Sequence, residues 1–87
     1  MADFEYMPAL HFFVHRICTP KWVIVPQLID FNDLTYVYAG QGIYLVDGER
    51  IDVYPGCLLS IPAGCWREAY TDAKAPLRLY AVNYNMY

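Results

Sequence analysis

Four turn signals punctuate residues 30–67: Gly40-Gln41-Gly42, Asp47-Gly48, Pro55-Gly56 and Pro62-Ala63-Gly64. The runs between them are short, aromatic and β-branched, which suits strands and leaves no room for a stable helix. Asp47-Gly48 is a favoured two-residue hairpin turn, and Pro55-Gly56 suits a type II turn. This punctuation predicts a small, all-β antiparallel barrel.

The remaining chain extends the pattern. Residues 12–18 and 21–29 read as strands separated by Thr19-Pro20, with Pro26 marking an edge position or a bulge because it has no amide to donate. Residues 30–33 read as a polar loop. Residues 34–39, 43–46, 51–54, 57–61 and 77–84 read as further strands, for seven or eight in all, with little or no helix. Neither repeats nor a linker divide the chain, so residues 1–87 form one domain.

Composition sets limits on function. A chain of 87 residues buries only about 60 to 68% of its unfolded surface. With 57% of its residues hydrophobic, 17% aromatic and 17% charged, it has apolar surface to spare, and a homodimer is expected through an aromatic face or an edge strand. Six basic and nine acidic side chains give net −3, which opposes attraction to a phosphate backbone. No run approaches the roughly 18 apolar residues of a membrane helix, and the N-terminus carries acids where a signal peptide carries lysines, so a cytoplasmic protein is expected. Cys18, Cys57 and Cys65 are odd in number and lack Cys-x-x-Cys spacing, which indicates reduced thiols and no disulfide frame.

Cys18-Thr19-Pro20-Lys21-Trp22, the run from Asp33 to Val37 ending in Gly40-x-Gly42, the Val46-Asp47-Gly48 hairpin, and Tyr54-Pro55-Gly56-x5-Pro62-x-Gly64 occur in one order. Together they resemble the cupin-like N-terminal sensor domain of AraC-type transcription regulators, over nearly the whole chain. The resemblance implies a cupin-like jelly-roll barrel that takes a small effector, often a sugar. Dimerising helices and a helix-turn-helix domain would follow, so the 87 residues are expected to be a fragment that reaches DNA only through a separate domain.

Departures from the wider cupin pattern bear on chemistry. Metal-dependent cupins carry His-x-His ahead of an acid; here the stretch is Val25-Pro26-Gln27-Leu28 ahead of Asp33. The position of the later metal-binding histidine is Arg67, which cannot coordinate a cation. Cys57 stands where the family usually has aspartate. His11 and His15 would lie about 13 Å apart on an extended strand, too far to share one ion. Ser60 lacks a nucleophile elbow, and Cys57 and Cys65 lack an activating neighbour. No metal and no cofactor are expected.

Arg67 is the leading candidate for ligand binding. It shares a strand face with Cys65 and Ala69, and in a cupin-like orientation that face looks into the barrel, where a guanidinium offers charge-assisted donors to a carboxylate or vicinal hydroxyls. The alternative is a surface arginine paired with Glu68 or Asp72. Trp22, Tyr36, Tyr44 and Tyr80 are candidates to stack on a ligand or bond its hydroxyls, and Gln27 is a further candidate. Either Asp33 and Thr35 or Leu34 and Tyr36 face inward, depending on register. The expectation is a noncatalytic effector-binding and dimerising domain. The alternatives are a metal-independent isomerase or epimerase using Asp33, tyrosine or Cys65 as acid and base, and a ligand-free oligomerisation module.

Overall fold

The structure, a computed structural model, describes residues 8–86. Among them are eight strands and no helix: β1 (Pro8–Ile17), β2 (Val23–Leu28), β3 (Asn32–Ala39), β4 (Gly42–Val46), β5 (Glu49–Val53), β6 (Leu58–Ile61), β7 (Trp66–Thr71) and β8 (Arg78–Met86). They form two four-stranded sheets, ordered β1-β8-β3-β6 and β2-β7-β4-β5, with every pairing antiparallel. Two such sheets packed face to face make a jelly-roll barrel.

The turns act as their residues dictate. Asp47 (φ +51°) and Gly48 (φ +80°) are both left-handed, the type I′ geometry whose twist matches the flanking strands, and they join β4 to β5. On the edge strand β2 the register against β7 slips between Ile24 and Gln27, where Pro26 interrupts the ladder. Gly40 has φ +79°, and a Cβ there would collide with the backbone carbonyl of Pro76. The β3–β4 connection is therefore seated directly on the 72–77 loop, which Gln41 also grips through bonds to Ala75 and Asp72.

Several boundaries differ from the expected ranges, and β7 at Trp66–Thr71 adds a strand that those ranges lacked; two of the differences bear on the site. The polar segment at 30–33 is half strand: Asn32 and Asp33 begin β3, opposite Tyr84 and Asn83 of β8. Their polar side chains are absorbed locally, since Asn32 Oδ1 accepts the Ala63 amide at 3.1 Å and Asp33 turns inward to an ion pair. Strand β2 starts at Val23 instead of Lys21, because Trp22 N donates to Thr19 O at 3.0 Å and closes a turn.

Alternation then sorts the side chains. Val37, Tyr44, Val53, Ile61, Ala69 and Leu79 point between the sheets and are buried, with Cys18, Ile29 and Leu77 closing the core from connecting segments. Each fully buried aliphatic side chain there stabilises the fold by about 1.5–3 kcal/mol. Cys18, Cys57 and Cys65 are all free thiols. Toward the β1–β2 end of the barrel the inward residues become polar, and the packing opens.

Candidate functional site

A cavity of about 370 Å³ lies between the sheets at that end. Both sheets build it. The first contributes Val14 and Arg16 from β1, Asp33 and Thr35 from β3, and Leu79, Ala81 and Asn83 from β8; the second contributes Val23, Ile24 and Val25 from β2, Tyr44 from β4 and Arg67 from β7, with Trp22 at the rim. The volume falls within the range of small-molecule pockets.

Its centre is an ion pair. Arg67 Nη1 donates to Asp33 Oδ2 at 2.6 Å, and Thr35 Oγ1 donates to Asp33 Oδ1 at 2.9 Å. The Arg67 side chain is 10% exposed and that of Asp33 only 3%, so the pair bridges the sheets in a poorly solvated interior. The Phe31 ring lies 5.3 Å from Arg67 Cζ, a cation–π distance that further offsets the cost of burying the charge. Arg67 is thus an interior residue held by Asp33, and pairing with Glu68 or Asp72 at the surface does not occur.

Among the described residues two buried side-chain polar atoms are left without partners: Arg67 Nε, a donor, and Asn83 Oδ1, an acceptor. Both residues line the cavity, and Asn83 sits directly opposite Asp33 in the β3–β8 ladder. An unmade hydrogen bond at such a site costs about 1–3 kcal/mol, which a bound polar group would recover. The Tyr44 hydroxyl is pushed well above the ordinary tyrosine range, chiefly by burial and then by the Asp33 carboxylate, against smaller opposing effects of Thr35 and Arg67. It stays protonated at neutral pH.

The residues singled out in the sequence divide into two groups. Arg67, Trp22 and Tyr44 come together around the cavity. Tyr36 and Tyr80 project from the outer face of the first sheet, and Gln27 lies exposed on β2, outside the cavity lining. Of the alternating set on β3, Asp33 and Thr35 face inward. Cys65 is outside the lining too; its thiol is raised first by desolvation and then by the hydrogen bond and charge of Asp47. His15 also points outward: its Nε2 lies 2.6 Å from Tyr38 Oη and its ring stacks on Tyr80 at 4.5 Å. The side chain of His11 lies outside the described part of the structure.

Arg16 and Asn83 were not among the sequence candidates. Both had a signal. Asn83 is a lone amide in phase with inward Leu77, Leu79 and Ala81, and Arg16 is in phase with Val14. A larger hollow of about 530 Å³ on the outside of β4 and β5 contains the exposed Arg50–Asp52 pair but no unpartnered buried atom, and it presents no comparable constellation.

Residues 31–83 match the family model of the cupin domain. The chain belongs to the cupin family. Solved cupin-like structures agree in fold. One is described as a predicted oxalate decarboxylase from Thermotoga maritima, with 15% identity and TM-score 0.77 over 85% of this chain and 65% of that one. A Photorhabdus luminescens protein has 16% identity and TM-score 0.73 over 92% of this chain and 73% of that one. KdgF from a Halomonas species has 16% identity and TM-score 0.71 over 95% and 82%. This cupin spans less than two thirds of the Thermotoga protein's length. At such identities the likeness concerns fold alone. No curated protein matches the chain.

Many cupins hold a metal ion in their barrel, and the residues of this one do not fit that role. Among the described residues no group of three His, Cys, Asp or Glu side chains stands close enough to hold an ion. The carboxylate that does face the cavity is already bonded to Arg67 and Thr35, and the fixed guanidinium charge beside it disfavours a divalent cation.

Proposed function

We propose that this cupin is a noncatalytic receptor for a small polar molecule, taken into the cavity between the sheets with Arg67 as its anchor. One observation carries the reading. Arg67, fixed by Asp33, and Asn83 both line the cavity, and each keeps a buried polar atom without a partner, the Nε donor of the one and the Oδ1 acceptor of the other. The preorganised donor and acceptor orient a ligand, while Trp22, Val14, Ile24 and Leu79 offer it apolar contact.

The same geometry argues against a metal-independent isomerase or epimerase. General acid–base chemistry needs a side chain positioned to exchange its proton with the ligand. Asp33 is committed to two donors, and Tyr44 is held protonated by burial and by Asp33. The finer assignment, to the sensor domain of a cytoplasmic AraC-type transcription regulator, is supported by the ordered motifs from Cys18 to Gly64 and suits three unpaired cysteines. The family match supports the barrel, and DNA contact would belong to a separate domain.

A thermal-shift screen of small sugars, polyols, hydroxy acids and amides tests the proposal. A specific ligand at 100 times its Kd stabilises the fold by about 2.7 kcal/mol through linkage. The expected result is a subset of compounds that raise Tm in the parent chain and lose the effect in Arg67→Met. A chain that responds to none of them would be a structural barrel.

A further inference from the structure

Two arginines line the cavity, and they are not equivalent. Arg67 is buried and spends its charge on Asp33 at 2.6 Å, so a ligand meets that pair as a nearly neutral dipole. Arg16 is different. It stands on β1 opposite Leu79 of β8, in the inward phase that also carries Val14, and it lines the cavity while remaining exposed at the mouth. Among the described residues it takes part in no ion pair; its guanidinium lies over the ring of Trp22, with Cζ 6.0 Å from the ring centroid. Cation–π attraction steadies the flat group there and leaves its fork of N–H donors open.

The lining is therefore charged. Arg16 and Arg67 against Asp33 give it a surplus of one positive charge, and among the described residues no other acid lines it, in a chain whose net charge is −3. An anion is drawn to this mouth against the field of the rest of the molecule. An ammonium group finds no free carboxylate, since Asp33 is already bonded to Arg67 and Thr35. The size of the surplus matters too. A single carboxylate cancels it and matches the guanidinium fork with its two oxygens, whereas a dianionic phosphate brings excess negative charge into a cavity that already holds the Asp33 carboxylate.

The other end of the cavity sets a second requirement. Asn83 stands further along β8 than Leu79, by about 13 Å of extended strand, and its Oδ1 is buried without a partner. Such an acceptor calls for a hydroxyl. Between the two ends Val14, Ile24, Leu79 and Ala81 supply apolar wall, so one small molecule satisfies both only with its acid group and its hydroxyl at opposite ends of a carbon chain.

We infer that the cavity selects small hydroxy acids, with Arg16 receiving the carboxylate at the mouth and the interior beside Asn83 and Arg67 receiving hydroxyls. The inference rests on the reading of this cavity as a receptor site and adds to it the charge of the ligand, which Arg67 alone does not determine.

Titration calorimetry of the whole chain at neutral pH tests it with matched pairs: glycerate beside glycerol, ribonate beside ribitol, and gluconate beside sorbitol, with glycerol phosphate as the dianionic comparison. At least one acid is expected to bind about tenfold or more tightly than its polyol. That advantage should be lost in Arg16→Gln, while Arg67→Met weakens acid and polyol alike and Arg78→Gln, at an exposed position outside the lining, changes neither. Raising the salt concentration should shrink the advantage in the parent chain, a readout that needs no variant to fold. Polyols that bind as tightly as their acids, a phosphate ester that binds more tightly than the carboxylates, an advantage that survives Arg16→Gln, or one that is indifferent to salt would overturn the inference and leave the receptor reading standing. If no acid and no polyol binds, the two fall together.

Discussion

Arg67 and Asp33, 34 positions apart in sequence, meet at 2.6 Å across the barrel and tie one sheet to the other. The pair explains how a cupin with an arginine at an inward position of β7 keeps that side chain inside. Thr35 secures the other carboxylate oxygen, Phe31 lies against the guanidinium, and Nε is left buried without a partner.

Breaking this pair from one side should cost more than removing it altogether. Asp33→Asn leaves a buried guanidinium uncompensated, and about 3–5 kcal/mol of stability should be lost at neutral pH. The double variant Asp33→Asn, Arg67→Met should recover a large part of that loss. Urea unfolding of the two singles and the double closes a thermodynamic cycle; additive losses would mean that the pair does not couple.

Tyr44 and Cys18 make stability fall in alkali. Burial raises both groups above their ordinary values of 10.0 for tyrosine and 9.0 for cysteine, with the Asp33 charge adding to the shift of Tyr44 and the Arg16 charge opposing that of Cys18. Each therefore keeps its proton in the native state where the unfolded chain gives it up. The associated stability is intact below the unfolded value and declines as pH rises through it toward the native one, at about 1.4 kcal/mol per pH unit for each group. Tyr70, which donates to Glu68, is displaced in the same direction, but its exposure screens the effect. Unfolding free energy followed from pH 8 to 11 should show the decline, and Tyr44→Phe should flatten it above about pH 10. An unchanged slope in that variant would count against the burial argument.

Gly40 should tolerate no side chain. Gly40→Ala adds a Cβ against the Pro76 carbonyl at a left-handed backbone position, so both the loop and the 72–77 segment must shift. A loss clearly above about 1 kcal/mol is expected, larger than for Gly48→Ala, where the backbone is also left-handed but a Cβ meets nothing within 4 Å. Thermal melts of the two variants rank the effects, and equal Tm values would show that the Pro76 contact yields without cost.

Local chemistry made most of the strand order legible. Asp47-Gly48 could only turn tightly, and Pro26 could only interrupt a ladder. The barrel end of the site was harder to see. Along β3 both alternating sets mix polar with apolar residues, Asp33 and Thr35 against Leu34 and Tyr36, so periodicity cannot choose the inner one. The choice depends on Arg67 and on the pairing of β3 with β8, contacts that are distant in sequence. Tyrosine was equally ambiguous: Tyr44 is buried at the cavity, whereas Tyr36 and Tyr80 face outward, and only register separates them. Arg16 and Asn83 became visible once β1 and β8 were placed in phase.

The side-chain Nε–Hε resonance of Arg67 reports most directly on the central claim. In a nitrogen–proton correlation spectrum it is assigned by its loss in Arg67→Lys, and titration with a compound that raises Tm should displace it while the corresponding resonance of exposed Arg78 stays in place. A compound that binds saturably and moves neither Arg67 Nε–Hε nor the Asn83 amide would contradict an anchor inside the barrel.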